Sequence, residues 1–183
     1  MNLKIKDIVN FQAYPLDDAL FAQQTATHFD KTGVLLLPDF INSSVVESLV
    51  KEANEASDLA YFTKATHNVY LTPKDESLPD DHVFNRQITS SKGCITTDQV
   101  PEASALHSLY HSPLFQQFIC AVVGKAAIYP YADPLSSINV HYAHEGQELG
   151  WHFDNSSFAI TLLLQAPDEG GVFEYVKDLR DAD

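Results

Sequence analysis

Apolar and polar positions follow two different periods along the chain. Up to residue 128, apolar residues recur mainly at the three- and four-residue spacing of amphipathic helices. From Tyr129 onward they fall in short runs rich in Val, Ile, Thr, Tyr and Phe. The pattern predicts a front part of helices with some strand over 1–128, followed by a sheet over 129–183.

Capping residues mark where the predicted helices begin and end. Pro15 and Asp17–Asp18 open a helical pattern that Gly33 closes, and a short buried strand follows at Val34–Leu37. The capping-box sequence Ser44-Val-Val-Glu47 predicts the next helix. After irregular strands and loops over 61–101, two more helices are predicted at Ala103–Tyr110 and Pro113–Val123.

Turn residues divide the second part of the chain into short strands. The strands are predicted at Ser137–Ala143, Trp151–Asp154, Phe158–Gln165 and Val172–Val176. Such spacing is typical of consecutive antiparallel strands. Because the sequence has no internal repeat or linker, we expect both parts to form a single α+β domain over 1–183.

Charge and cysteine content exclude some classes of partner. The chain has 11 Lys and Arg against 25 Asp and Glu, a formal net charge of −14, so neither nucleic acid nor a membrane is an expected partner. Cys94 and Cys120 lack the spacing of a zinc or redox site and are predicted to be reduced thiols. Without a signal peptide or an apolar run of membrane length, the sequence predicts a cytoplasmic protein.

His152 and Asp154 are the residues with the clearest potential chemistry. Alternate residues of a strand project to the same face, so this imidazole and this carboxylate can reach one metal ion. They would be two arms of a 2-His-1-carboxylate iron site, which leaves one face of the ion open. His-x-Asp alone is a weak signal, and the alternative is an Asp capping a turn beside a half-buried His.

The wider sequence resembles a known family. The stretch Tyr142-Ala-His-Glu-Gly-Gln-Glu-Leu-Gly-Trp-His-Phe-Asp154 resembles the iron(II)- and 2-oxoglutarate-dependent oxygenases, and Lys31–Ile41 is similar to the front of many of them. Leu149–Asn155, Thr161–Pro167 and Gly170–Val176 most resemble the branch of free-amino-acid hydroxylases and halogenases. The resemblance implies a double-stranded β-helix, or jelly roll, with helices packed on one side.

The resemblance also implies an activity. Halogenases of this branch have a small residue in place of the metal carboxylate, whereas this chain keeps Asp154. We therefore expect an iron(II) dioxygenase that uses 2-oxoglutarate and dioxygen to hydroxylate a small polar metabolite, in particular a free amino acid. Tyr142 is expected to bind 2-oxoglutarate, and Arg86 and Asn155 the substrate. The alternatives are a core Tyr, a surface Arg and an Asn at a turn.

Two residues that the resemblance requires are missing from the sequence. No His follows Asp154, and Arg180 is the only Arg after it, whereas the family takes its distal iron His and its 2-oxoglutarate-binding Arg from later strands. We therefore expect a jelly roll truncated after about four core strands, or a half-barrel completed by another chain. The alternative function is a catalytically inactive jelly-roll binding module, and homo-oligomerisation is left open.

Four other histidines occur in pairs that could suggest metal ligands. His141 and His144 should point to opposite faces of their strand because their spacing is odd. His107 and His111 lie four apart on a predicted helix, but no acidic residue lies between them as in a His-Glu-x-x-His motif. These two are predicted to be surface or packing residues.

Overall fold

The computed structural model describes residues 3–131, 133 and 135–179. Its helices are α1 (Ile5–Ile8), α2 (Ala19–Thr32), α3 (Ser43–Glu55), α4 (Ala105–Tyr110) and α5 (Pro113–Val122), and its strands are β1 (Tyr61–His67), β2 (Ile88–Ile95) and β3 (Val140–Tyr142). Short 3-10 helices lie at Ser57–Leu59, Val83–Asn85 and Thr97–Gln99. The described helices include none that is long and apolar enough to cross a membrane.

Helices α2 and α5 pack together at the centre of the apolar core. The Asp18 carboxylate accepts hydrogen bonds from the backbone N–H groups of Leu20 and Phe21 and so starts α2. Phe21 of α2 stacks on Phe118 of α5 with ring centroids 5.6 Å apart. Because Phe118 is only 2% exposed, this aromatic contact joins the two helices inside the core.

The three strands form one antiparallel sheet in the order β1-β2-β3. All of β1 pairs with β2, from Tyr61 opposite Cys94 to His67 opposite Ile88. Strand β3 covers only the Gly93–Ile95 end of β2. The other end of β2 is therefore left for a later segment of the chain, and this segment carries the predicted metal ligands.

Four of the predicted helices are confirmed. Helix α2 begins after Asp18 and ends at Gly33, whose φ of 74° needs the conformational freedom of glycine. Helix α3 is confirmed, but the predicted capping box Ser44–Glu47 is wrong, because the helix begins at Ser43 with Asn42 at its N-cap. Helix α5 starts at Pro113 with the Ser112 hydroxyl accepting the Phe115 N–H, as the sequence predicted.

The predicted jelly roll is wrong for the part of the chain that the structure describes. Three strands in one open sheet are too few for a double-stranded β-helix, which needs two facing sheets. Only Val140–Tyr142 of the predicted Ser137–Ala143 strand forms. The other predicted strands are absent from the described residues, namely Val34–Leu37, Trp151–Asp154, Phe158–Gln165 and Val172–Val176.

The reason for this error is visible at residues 158–165. Leu162 and Leu164 pack against the apolar core, whereas Leu163 between them is 75% exposed, so side chains alternate as in a strand. A strand also needs a hydrogen-bonded neighbour, and none is assigned to this segment among the described residues. The predicted strand Phe158–Gln165 is therefore wrong, although part of its apolar side faces the core.

Candidate functional site

The segment 148–153 continues along the edge of β2 that β3 leaves uncovered. The Ser91 N–H donates to the Glu148 carbonyl at 2.7 Å, and the Gly150 N–H donates to the Ser90 hydroxyl at 2.8 Å. Further on, the Phe153 N–H donates to the Val69 carbonyl at 2.8 Å. These contacts hold the segment against the end of the β1–β2 hairpin.

Gly150 lies where the segment approaches β2 most closely. A Cβ atom built on this residue would lie 2.3 Å from Cγ2 of Ile88 and 2.6 Å from the carbonyl oxygen of Thr89. Both distances are far below van der Waals contact, and the Thr89 oxygen belongs to the backbone and cannot rotate away. Only glycine fits here without moving the segment.

The imidazole of His152 is oriented by the same glycine. Its Nδ1 lies 2.7 Å from the Gly150 carbonyl oxygen, and a carbonyl can only accept, so Nδ1 carries the hydrogen. In the neutral ring, the lone pair is then on Nε2. This Nε2 lies 3.4 Å from Oδ1 of Asp154, and the side chains of His152 and Asp154 are 31% and 58% exposed.

This pair has the chemistry of a partial metal site. Metal-binding histidines almost always donate their second ring N–H to a carbonyl or carboxylate, as His152 does. Two ligands about 2.1 Å from one ion lie about 3 Å apart at a right angle, close to the separation observed here. No group of three His, Cys, Asp or Glu side chains able to hold a metal occurs within the described residues, so a ligand role for His152 and Asp154 stays a prediction.

Aromatic rings of the loop that follows β1 pack on Phe153, the residue between the two predicted ligands. The Tyr70 ring lies 5.2 Å from that of Phe84 and 5.3 Å from that of Phe153, between centroids. His67, the last residue of β1, meets the His152 ring edge-on at 6.1 Å. The loop is thus joined to the segment 148–153 by the contact of Tyr70 with Phe153, and the ring of His67 contacts that of His152.

Tyr142, the predicted 2-oxoglutarate contact, faces helix α3. Its hydroxyl donates to the Ala53 carbonyl at 2.6 Å, which leaves the oxygen able to accept one more hydrogen bond. Partial burial, and then the neighbouring Cys94 thiol, raise the pKa of this hydroxyl above its ordinary value. A role toward 2-oxoglutarate stays a prediction.

The two predicted substrate residues are both accessible. Arg86 is exposed and follows the 3-10 helix Val83–Asn85, and Asn155 is exposed in the bend 155–157. The bend itself was predicted. Substrate binding by either residue stays a prediction, and Arg180 lies outside the described residues.

The other histidines have contacts consistent with their predicted roles. His141 Nε2 lies 3.3 Å from the Lys92 ammonium, whereas His144 stacks on Phe62, so the two histidines contact different neighbours. Burial, and to a smaller extent Lys92, lower the pKa of His141. His107 and His111 stack on one another with centroids 6.3 Å apart.

Sequence reasoning missed two polar residues beside the site. His67 Nε2 lies 2.7 Å from the Ser90 hydroxyl, and that hydroxyl accepts the Gly150 N–H. The contacts join residues 23 and 60 positions apart in the sequence. No local motif marks either residue, and only the register of β1 on β2 brings them together.

The fold and the site define a small α+β protein with a candidate His–Asp metal pair. A family model described as Halogenase D matches residues 17–182, a range that includes Tyr142, His152 and Asp154. The chain belongs to the halogenase D family. Comparisons with curated proteins and with solved structures gave no match.

Replacing Gly150 tests the close approach to β2. We expect Gly150→Ala to displace the segment and to destabilise the protein by about 1–3 kcal/mol, the usual cost of overpacking. Trp151 is the only tryptophan and is 49% exposed, so its emission should shift to the red and its quenching by acrylamide should increase.

Gly124→Ala is the matched control, because a Cβ there meets nothing within 4 Å. It should leave Trp151 emission unchanged despite strain from its φ of 64°. Unchanged emission in Gly150→Ala would contradict the contact.

Proposed function

We propose that this protein is a non-haem iron(II), 2-oxoglutarate-dependent dioxygenase that hydroxylates a small polar metabolite. The observation that carries the proposal is the arrangement of His152, whose Nδ1–H is held by the Gly150 carbonyl while Nε2 faces the Asp154 carboxylate. One neutral nitrogen and one anionic oxygen are two of the three ligands in a 2-His-1-carboxylate site. Membership of the halogenase D family supports the same class of enzyme.

The chain's own residues would bind and orient the reacting groups. When bound, iron(II) and 2-oxoglutarate supply the activation of dioxygen and the transfer of an oxygen atom to a C–H bond. His152 and Asp154 would hold the metal and leave the remaining positions open. The proposal requires a third protein ligand in addition to these two.

The third ligand is not His67, although that ring is near. The Asn68 carbonyl can only accept, so it holds the hydrogen on His67 Nδ1 at 2.9 Å. The Nε2 atom of His67 is bonded to the Ser90 hydroxyl. With both nitrogens occupied inside the protein, His67 offers no lone pair to a metal. Tyr142 is proposed to bind 2-oxoglutarate, and Arg86 and Asn155 to bind the substrate.

Hydroxylation and halogenation are distinguished by the residue at position 154. The family description favours halogenation, for which a halide must occupy a coordination position of the metal. The carboxylate of Asp154 would fill that position and would repel an anion beside it. We therefore propose hydroxylation, with halogenation as the second candidate.

The substrate is proposed to be a free amino acid. This class follows from the resemblance of Leu149–Asn155, Thr161–Pro167 and Gly170–Val176 to the amino-acid branch. The net charge of −14 also favours a neutral or cationic small molecule over a polyanion.

Removing the imidazole of His152 tests the metal assignment. We expect His152→Ala to weaken iron(II) binding by more than about 100-fold, because changes to outer-shell partners alone cost about 10–100-fold. Anaerobic iron titration measures affinity, and far-ultraviolet circular dichroism should show an unchanged fold. His144→Ala, at a histidine stacked on Phe62, is the control and should keep its affinity. Undiminished affinity in His152→Ala would remove the basis of the proposal.

Opening the position of Asp154 tests hydroxylation against halogenation. In Asp154→Gly we expect hydroxylation to be lost and chloride to bind at the vacated position, with slight chlorination of the substrate detected by mass spectrometry. Asp168→Gly makes the same replacement at an exposed residue and should retain activity. Full hydroxylation by Asp154→Gly would show that Asp154 is not a ligand, and halogenation by the unaltered protein would favour the second candidate.

A succinate-release screen tests the substrate class. The iron-loaded protein is expected to release succinate above its uncoupled background with at least one free amino acid. Peptides and lipids serve as comparison panels. Release with a peptide or lipid, and with no amino acid, would overturn the amino-acid assignment while leaving the oxygenase proposal in place.

A further inference from the structure

The hydrogen bonds that lead to Gly150 and His152 form a series in which the donor and the acceptor of each bond can be assigned. The series begins at Asn68. Asn68 is fully buried, and its side-chain oxygen accepts the N–H groups of Tyr70 and Thr72, which fixes the start of the loop after β1. The backbone carbonyl of Asn68 accepts the Nδ1–H of His67 at 2.9 Å. The neutral His67 ring therefore has its lone pair on Nε2, which points to Ser90.

Ser90 links this ring to the metal-binding segment. Since His67 Nε2 accepts, the Ser90 hydroxyl donates its hydrogen to that atom at 2.7 Å. Its oxygen is then free to accept the Gly150 N–H at 2.8 Å. The Ser90 hydroxyl thus forms hydrogen bonds both with the ring of His67, the last residue of β1, and with the backbone N–H of Gly150, two residues before His152.

The contacts of Gly150 fix the direction of the carbonyl group that binds His152. A glycine has wide backbone freedom, so the direction of its carbonyl is set by the contacts around it. At Gly150 these are the bond from its N–H to Ser90 and the close packing on Ile88 and Thr89. The carbonyl so directed accepts Nδ1–H of His152, which leaves Nε2 toward Asp154.

We infer that His67 and Ser90 are positioning residues that set the tautomer and the orientation of His152 through the backbone of Gly150. His67 also contacts the edge of the His152 ring, at 6.1 Å between centroids, which limits rotation of that ring. The inference rests on the proposed function only in treating His152 as an iron ligand. The network itself consists of protein groups and exists without metal.

The tautomer of His152 is the decisive measurement. Nitrogen-15 NMR of the metal-free protein, at a pH where the ring is neutral, distinguishes a hydrogen on Nδ1 from one on Nε2. The unaltered protein should have His152 in the Nδ1–H form. Ser90→Ala should mix the two forms and accelerate hydrogen exchange of the Gly150 amide, whereas Ser90→Thr keeps the hydroxyl and should restore both signals.

A matched control lies at the next residue of β2. The Ser91 hydroxyl accepts the Glu148 N–H at 3.3 Å, so Ser91→Ala removes a bond between the same strand and the same segment without touching Gly150. It should leave the tautomer of His152 unchanged. His67→Phe keeps a ring of similar size but removes the acceptor, and it should act like Ser90→Ala. The double variant Ser90→Ala with His67→Phe should change the tautomer ratio of His152 no more than the single variant with the larger effect.

Cobalt(II) binding connects the network to the metal site. Ser90→Ala should weaken cobalt(II) affinity by about 10–100-fold and alter the visible spectrum, and Ser90→Thr should recover most of both. The inference is overturned if Ser90→Ala and His67→Phe keep the wild-type tautomer, or if Ser91→Ala changes it equally. A Ser90-dependent tautomer in a protein that binds no metal would support the positioning role and reject the proposed function. Metal binding by the unaltered protein, with the tautomer of His152 unaffected in both variants, would support the proposed function and reject the positioning role.

Discussion

The contact between Gly150 and β2 is the constraint on which the candidate site depends. There is no room for a side chain between this residue and the Ile88–Thr89 stretch, so the chain must pass as bare backbone. That close approach brings the Gly150 N–H within reach of Ser90 and turns its carbonyl toward His152. The apolar core, to which α1, α3, α4 and α5 contribute buried side chains, stabilises the domain, but the position of the predicted ligands is decided at the edge of the sheet.

The helices could be predicted from sequence because their signals are local. Asp18 and Ser112 cap the helices that follow them, and Gly33 ends α2, all within a few residues of the boundary concerned. Strands depend on partners elsewhere in the chain. The segment 158–165 has the alternation of a strand and directs Leu162 and Leu164 to the core, yet it lacks an assigned neighbour among the described residues. An alternating pattern identifies the buried face but not the pairing, and for this reason the predicted strand at 158–165 was wrong.

The candidate site could be predicted only in part, for a related reason. His152 and Asp154 are two positions apart, and their shared side follows from local geometry, which the 3.4 Å separation matches. Their support could not be read from sequence. His67, Ser90 and Gly150 come from β1, β2 and the segment after β3, and they meet only because His67 lies opposite Ile88 in the sheet register. A motif search finds the atoms that would touch a metal, whereas the groups that orient them depend on tertiary structure.

The carboxylate of Asp154 is the group that distinguishes the two reactions considered for this chain. A fold shared by related enzymes does not fix which ligand a metal carries, because the ligand depends on the charge and size of the groups around the ion. A carboxylate beside His152 supplies one negative charge and one oxygen donor, and a chloride in the same position would have to displace it. In this chain of the halogenase D family, the proposed choice between hydroxylation and halogenation therefore depends on Asp154. The same carboxylate lies 3.4 Å from His152 Nε2, so a substitution at position 154 changes both the charge at the proposed site and the surroundings of the imidazole.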